Sequence, residues 1–290
     1  MKLHVIHDAR CAGYHFRGHP ERPARVSRTV EKLKAQSDIP IVWESPASVV
    51  ESSLLRAHSE GHLKVIRHAA GDFDGDTPAS PDIGEHAERS VGAALKALEL
   101  ARRGEASFSL MRPPGHHALR DRAMGFCYYN AVAVTALEAL AKGMDRVAVF
   151  DFDVHHGNGT EAILLDHPGA RFFSVHQHPC YPGTGTEHRG KNCFNFPVAP
   201  RTPAPKYREV LRRALDAMMA GQPQLICVSA GFDAFARDPL AQETLEAEDF
   251  QWMGEQLRRG GVPFLSLLEG GYSVELPELI LAYLKGVTGQ

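Results

Sequence analysis

The sequence predicts an α/β fold built on a mostly parallel central sheet. Short apolar runs recur at the length of buried strands, at residues 3–6, 39–43, 107–111, 146–152, 171–175, 225–229 and 263–268. Most are continuous runs of Val, Ile, Leu and Phe, not alternating ones, as in strands covered on both faces. Helical patterns sit between them. Ala87, Val91, Ala94, Leu95, Leu98 and Ala101 share one face at a period of 3.6, and so do Tyr207, Val210, Leu211, Ala214, Leu215 and Met218. Residues 130–141 and 250–257 behave alike. Strands alternating with helices imply right-handed crossovers and ligand binding beyond the carboxyl ends of the strands.

Bulk composition bounds the function. The chain has 290 residues, 43% hydrophobic and 23% charged, with a net charge of −3. That balance gives no reason to expect nucleic acid or an anionic membrane as a partner. Five widely spaced cysteines without a C-x-x-C fit a reducing cytoplasm better than a disulfide framework. The start, MKLHVIHDAR, has no long apolar stretch, so no signal peptide is expected there. No window suits a membrane helix. The chain shows no repeat or linker, and residues 71–81 read as a loop, so one domain over residues 1–290 is expected. Oligomeric state is not legible.

The chemistry falls just after the strands. Run 146–152 leads into Asp151-Phe-Asp153-Val-His155-His156-Gly157-Asn158-Gly159, and run 225–229 into Ala230-Gly231-Phe232-Asp233. Run 107–111 leads into Arg112-Pro-Pro-Gly115-His116-His117, and run 263–268 into Glu269-Gly270-Gly271-Tyr272. Asp153 and His155, two apart on an extended chain, point to one side. Asp233 supplies a third ligand. Two oxygens and one nitrogen with open positions suit a catalytic zinc, and a metal supplies the counter-charge that buried aspartates need. Iron(II) is compatible with the same set.

His116 and His117 are candidates for moving the proton of a water molecule and of a leaving amine. Asp151 and Asn158 are their candidate partners, one charged and one neutral, which makes the imidazoles unequal in basicity. Tyr272, after two glycines, can donate to an oxyanion. Residues 125–130 and 180–185 place aromatics beside glycines and could wall a narrow tunnel. Asp72, Asp74 and Asp76 form an acidic stretch that reads first as a solvated turn and second as a surface for a cationic substrate.

These motifs resemble the histone deacetylase and acetylpolyamine amidohydrolase family, of class II-like bacterial type. The likeness runs through residues 19–25, 112–118, 125–130, 151–159, 181–185, 229–239 and 269–273, in the family's order. It implies an arginase/deacetylase-like three-layer fold with a central sheet of about eight strands. It implies zinc on Asp153, His155 and Asp233, catalysis by His116, His117 and Tyr272, and Asp151 and Asn158 behind the histidines. Gly125, Phe126 and Tyr181 match the acyl-lysine tunnel, Leu240 its rim, and Arg25 an arginine near an acetate exit. A structural potassium is implied on backbone oxygens of Asp151, Asp153 and His155 with Ser174 and Val175. The chain is short for the family, which implies trimmed rim loops or terminal helices. The implied activity is zinc-dependent removal of an acetyl or other acyl group from an amine, on lysine side chains or small molecules such as polyamines. An arginase-like ureohydrolase is an alternative, although its second metal needs further aspartates. A non-catalytic small-molecule-binding member of the fold is another.

Overall fold

The computed structural model describes residues 2–290. Eight strands among these residues form one sheet in which every ladder is parallel. They are β1 (Leu3–Ile6), β2 (Ile41–Glu44), β3 (Ala106–Ser109), β4 (Val147–Asp151), β5 (Ala170–Gln177), β6 (Cys193–Val198), β7 (Leu225–Ala230) and β8 (Phe264–Leu268). The spatial order is β2-β1-β3-β8-β7-β4-β5-β6. The inner strands β3, β4, β7 and β8 are buried along their whole length, which is why they read as unbroken apolar runs.

Seven of the eight strands answer to the predicted runs. The eighth, β6, was not expected. Its sequence, CFNFPV, carries a polar residue and a proline, and it lies at the sheet's edge, where a proline is tolerated. The other edge strand, β2, is only partly buried.

The helices are α1 (Ala24–Ala35), α2 (Glu51–Ala57), α3 (Glu60–Arg67), α4 (Ile83–Ala101), α5 (Ala131–Ala141), α6 (Asn158–Leu164), α7 (Ala204–Ala220), α8 (Ala247–Arg259) and α9 (Leu276–Thr288). They cover both faces of the sheet. On β3, Ser107 Oγ donates to Ala97 O of α4. The next side chain, Phe108, packs at 6.2 Å on Tyr283 of α9. Adjacent strand residues point to opposite faces, so α4 and α9 lie on opposite sides. Asn130, expected inside α5, instead caps it: its Oδ1 accepts from Ala133 N at 2.9 Å.

β3, β8, β7 and β4 are consecutive in the sheet. Their carboxyl ends carry the four motifs singled out in the sequence. The topology therefore delivers those side chains to one short stretch of one edge.

Candidate active site

The first group comes from the β4 end. Asp151 closes the strand, and its Oδ1 accepts from Asp153 N at 3.1 Å. Asp153 Oδ1 in turn accepts from His155 N at 2.9 Å. This turn aims alternate side chains inward, as expected. Asp233 arrives from the β7 end, and its Oδ1 accepts from Val154 N at 3.0 Å. The β8 end contributes Gly270 N, which donates to Asp153 Oδ2 at 2.7 Å. His155 Nδ1 lies 3.1 Å from both Asp153 Oδ1 and Asp233 Oδ2. One ligand atom from each of the three residues lies within 4.8 Å of the others, and all three residues are buried.

Electrostatics point the same way. Burial pushes the Asp233 carboxyl up, and the neighbouring Asp153 adds to it. Burial also works against a charged Asp153, but His116 and His155 together hold its carboxyl well below the usual range. Two carboxylates crowded in an apolar shell with one imidazole between them make a donor set that a divalent cation fits.

The two histidines come from the β3 end. His116 Nδ1 is 3.1 Å from Asp151 Oδ2, and His117 Nδ1 is 2.7 Å from Asn158 Oδ1. Burial disfavours the charge on His116, yet Asp153 and Asp151 overcome it and raise this imidazole to about 10. Burial lowers His117, and the neighbouring His116 and His155 lower it further. The pair is therefore unequal, as the carboxylate and the amide behind them predicted. An amide oxygen can only accept, so His117 Nδ1 carries the proton and Nε2 keeps a free lone pair. The glycines between have steric reasons. A Cβ on Gly157 would overlap Asp151 Oδ2, and one on Gly159 would overlap Ala118 O.

The histidine loop is anchored from below. Glu269 Oε2 accepts from Gly115 N at 2.7 Å and His116 N at 3.2 Å, and Ser229 Oγ donates to Glu269 Oε1 at 3.2 Å. Asn130 Nδ2 donates to Ala118 O at 3.1 Å. Burial pushes Glu269 up to about 7. Sequence reading gave Glu269 no role, because a single glutamate before two glycines carries no signal of burial.

A cavity of about 180 Å³ opens on this edge, lined by Asp76, His117, Gly125, Phe126, His155, Tyr181, Leu240 and Tyr272. Seven of these eight were expected at the site. Gly125 and Phe126 both adopt left-handed backbone, φ 58° and 68°. A Cβ on Gly125 would overlap His117 Cδ2, so only glycine fits there. Tyr181 stands edge-on to His117 at 5.1 Å, and Phe126 edge-on to Tyr272 at 5.7 Å. The eighth is a correction. Asp72 and Asp74 are exposed, as a solvated turn requires, but Asp76 is half-buried in the cavity wall. It is held there because Thr77 Oγ1 donates to Asp76 Oδ1 at 3.1 Å and accepts from Phe126 N at 3.1 Å. A larger cleft of about 850 Å³ lies at the amino ends of β4 and β5, and no candidate residue lines it.

Arg25 is buried, not an exposed charge at a helix start. Its Nε donates to Gly271 O at 2.7 Å, another guanidinium nitrogen donates to Glu269 O, and the group sits 4.8 Å from the Tyr272 ring centre. Gly271 has φ 114°, left-handed backbone that favours glycine, whereas Gly270 is required by the carboxylates pressed against it. Ser174 and Val175 are buried in β5, with Ser174 directly opposite Asp151 of β4.

A model of the histone deacetylase domain matches residues 19–286. The chain belongs to the histone deacetylase family. This deacetylase is 37% identical to a histone deacetylase-like amidohydrolase of Pseudomonas aeruginosa over 94% of its own length and 77% of that protein's. It is 37% identical to an acetylpolyamine amidohydrolase of Mycoplana ramosa, over 79% of its length and 69% of that protein's. Among solved structures it superposes on the HD domain of HDA15 with a TM-score of 0.93 and 28% identity, covering all of this chain and 90% of that one. The deacetylase is an enzyme, and the bond it hydrolyses is an acetyl amide.

Proposed function

We propose that this deacetylase is zinc-dependent and removes acetyl groups from primary amines at the end of an aliphatic chain, the lysine side chain or a polyamine. The observation that carries the reading is that His155, His117 and Tyr272 line one narrow cavity with Asp153 and Asp233 directly behind His155. Asp153, His155 and Asp233 hold the metal. When bound, such an ion supplies Lewis acidity, polarising a carbonyl and acidifying a water molecule.

The chain's own groups do the rest. His117 Nε2 accepts the proton of the attacking water. His116, kept cationic by Asp153 and by the Asp151 bonded to it, supplies positive charge beside the developing negative charge and a proton for the leaving amine. The Tyr272 hydroxyl donates to the oxyanion, and burial keeps that phenol protonated well beyond neutral pH. Phe126 and Tyr181 wall the chain of the substrate and exclude water, with Gly125 between them and Leu240 at the rim. Asp76 at the mouth offers a carboxylate to a donor or cation on the substrate. A structural potassium on the backbone oxygens of Asp151, Asp153 and His155 with Ser174 and Val175 belongs to the same reading. Among the described residues a single cluster of three ligands forms, which favours one metal over the pair that a ureohydrolase uses.

The test is a panel of an acetyl-lysine peptide, acetylated polyamines and longer acyl-lysines on purified enzyme, with metal content measured alongside. Tyr272→Phe should keep its metal and lose turnover by roughly 10²–10³. Near-normal turnover of that variant sinks the assigned role.

A further inference from the structure

We propose that Asp238 is a positioning residue for the hydrolysis, tying the main chain at Tyr272 and at the rim residue Leu240 to one buried carboxylate. The inference rests on the role given to Tyr272 above.

Asp238 follows β7 in the loop that also carries Asp233, and it is 7% exposed. Its Oδ2 accepts from Tyr272 N at 2.7 Å and from Ser273 N at 3.2 Å. Its Oδ1 accepts from Leu240 N at 3.0 Å. One side chain thus grips two segments that come from different strands and meet across the cavity mouth. The loop itself is braced. Asp238 N donates to Phe235 O at 2.9 Å, Ala236 N donates to Leu245 O at 2.9 Å, and Arg237 pairs with Glu246 at 2.8 Å and reaches Glu275 at 3.5 Å.

The Tyr272 segment needs such a grip. It lies outside regular secondary structure, directly after Gly271 with its φ of 114°. Arg25 holds the carbonyl side of the Gly271–Tyr272 peptide at 2.7 Å and Phe126 packs against the ring, but neither binds the Tyr272 N–H, which Asp238 alone accepts. A phenol acts on an oxyanion only within hydrogen-bond reach, and its placement is set at the Cα by whatever holds the backbone. Burial and the nearby Asp233 push the Asp238 carboxyl up to about 7, opposed by the amides it binds. An ionisable group kept where its surroundings work against it is explained by those three amides.

The experiment is a double-mutant cycle. Asp238→Asn is nearly the same shape but turns an N–H₂ group toward amide donors on one side. It is made alone and together with Tyr272→Phe, with kcat, KM, metal content and thermal melting measured for each. The expected result is a fall in kcat of about 10- to 100-fold for Asp238→Asn alone, with metal retained. In the Tyr272→Phe background the same change should cost less than about threefold, because the group it positions is gone. A merely structural role costs the same factor in both backgrounds, and that result overturns the proposal. So does Asp238→Asn with normal kcat while Tyr272→Phe is inactive. Near-normal turnover of Tyr272→Phe alone defeats the reading beneath it as well. Should the Asn variant not fold, Asp238→Glu is read in the same cycle. If neither folds, Asp238 belongs to stability and the proposal is lost.

Discussion

Gly270, which has no side chain, lies where any Cβ would press on two of the candidate metal ligands. Its amide donates to Asp153 Oδ2 at 2.7 Å, and a Cβ there would overlap both that oxygen and Asp233 Oδ2. Neither carboxylate can retreat, because each is also fixed by an amide of the β4 turn. Gly270→Ala should therefore lose stoichiometric metal while its circular dichroism stays native, as checked by elemental analysis of the purified variant. Full metal occupancy would show that the carboxylates tolerate displacement. The sequence displays Asp153, His155 and Asp233 because they directly follow strand-like runs. It hides Asp76, Asp238 and Glu269, since D-G-D-T-P, R-D-P and E-G-G read as surface turns until tertiary contacts bury them. Gly270 was legible as a glycine, but its purpose was not.

At the scale of elements, the segment before α1 is bolted to the ends of β3 and β8 by a buried ionic network. Arg112, fully buried, donates to Glu21 Oε1 from Nε at 2.6 Å and to Oε2 from a terminal nitrogen at 2.8 Å. Tyr14 Oη donates to Glu21 Oε2 at 2.9 Å, and Arg25 pairs with Oε1 at 3.2 Å. Burial pushes the Glu21 carboxyl up, but Arg112, Arg25 and Tyr14 together outweigh it and hold it below its ordinary value. Glu21→Gln removes the charge and leaves two arginines buried without it. The expected cost at pH 7 is about 3–5 kcal/mol, read by urea denaturation. The sign with pH follows from the depressed carboxyl. Its contribution is complete above the unfolded value of about 4.3 and is lost as pH falls through the lower folded value. The gap between wild type and Glu21→Gln should thus narrow on acidification below about pH 4, and a gap that stays constant would contradict the network's role. The H-P-E-R-P-A-R motif marked this segment, yet which of its charges lie inside depends on β3, about ninety residues on. β6 escaped notice for a related reason: an edge strand with a proline lacks the continuous apolar run that revealed the inner strands.

For the molecule as a whole, the strand-and-helix alternation was readable from period and run length. The order of the sheet was not, because pairing between β3 and β8 joins segments more than 150 residues apart. That order places β3, β8, β7 and β4 side by side and gathers Asp151, Asp153, Asp233 and Glu269 at one buried edge. His116 and His155 offset part of this charge, but burial still pushes Asp151 up to about 6 and raises Asp233. A cation bound there relieves the crowding. The candidate ligands follow the ends of β4 and β7, with His155 and Asp233 78 residues apart in sequence, so an unfolded chain cannot present them together. Binding free energy therefore adds to folding free energy. At a free ion concentration a thousand times Kd the gain is about 4 kcal/mol. At roughly 2–4 °C per kcal/mol, stripping the metal should lower the melting temperature by about 8–16 °C. Chelator-treated enzyme, the same sample reloaded with zinc, and Asp233→Ala with and without zinc make the comparison complete. Reloading should restore the wild-type melt and leave that of Asp233→Ala unmoved. A wild type that melts at one temperature with and without the ion would mean that these three side chains hold no metal tightly enough to matter.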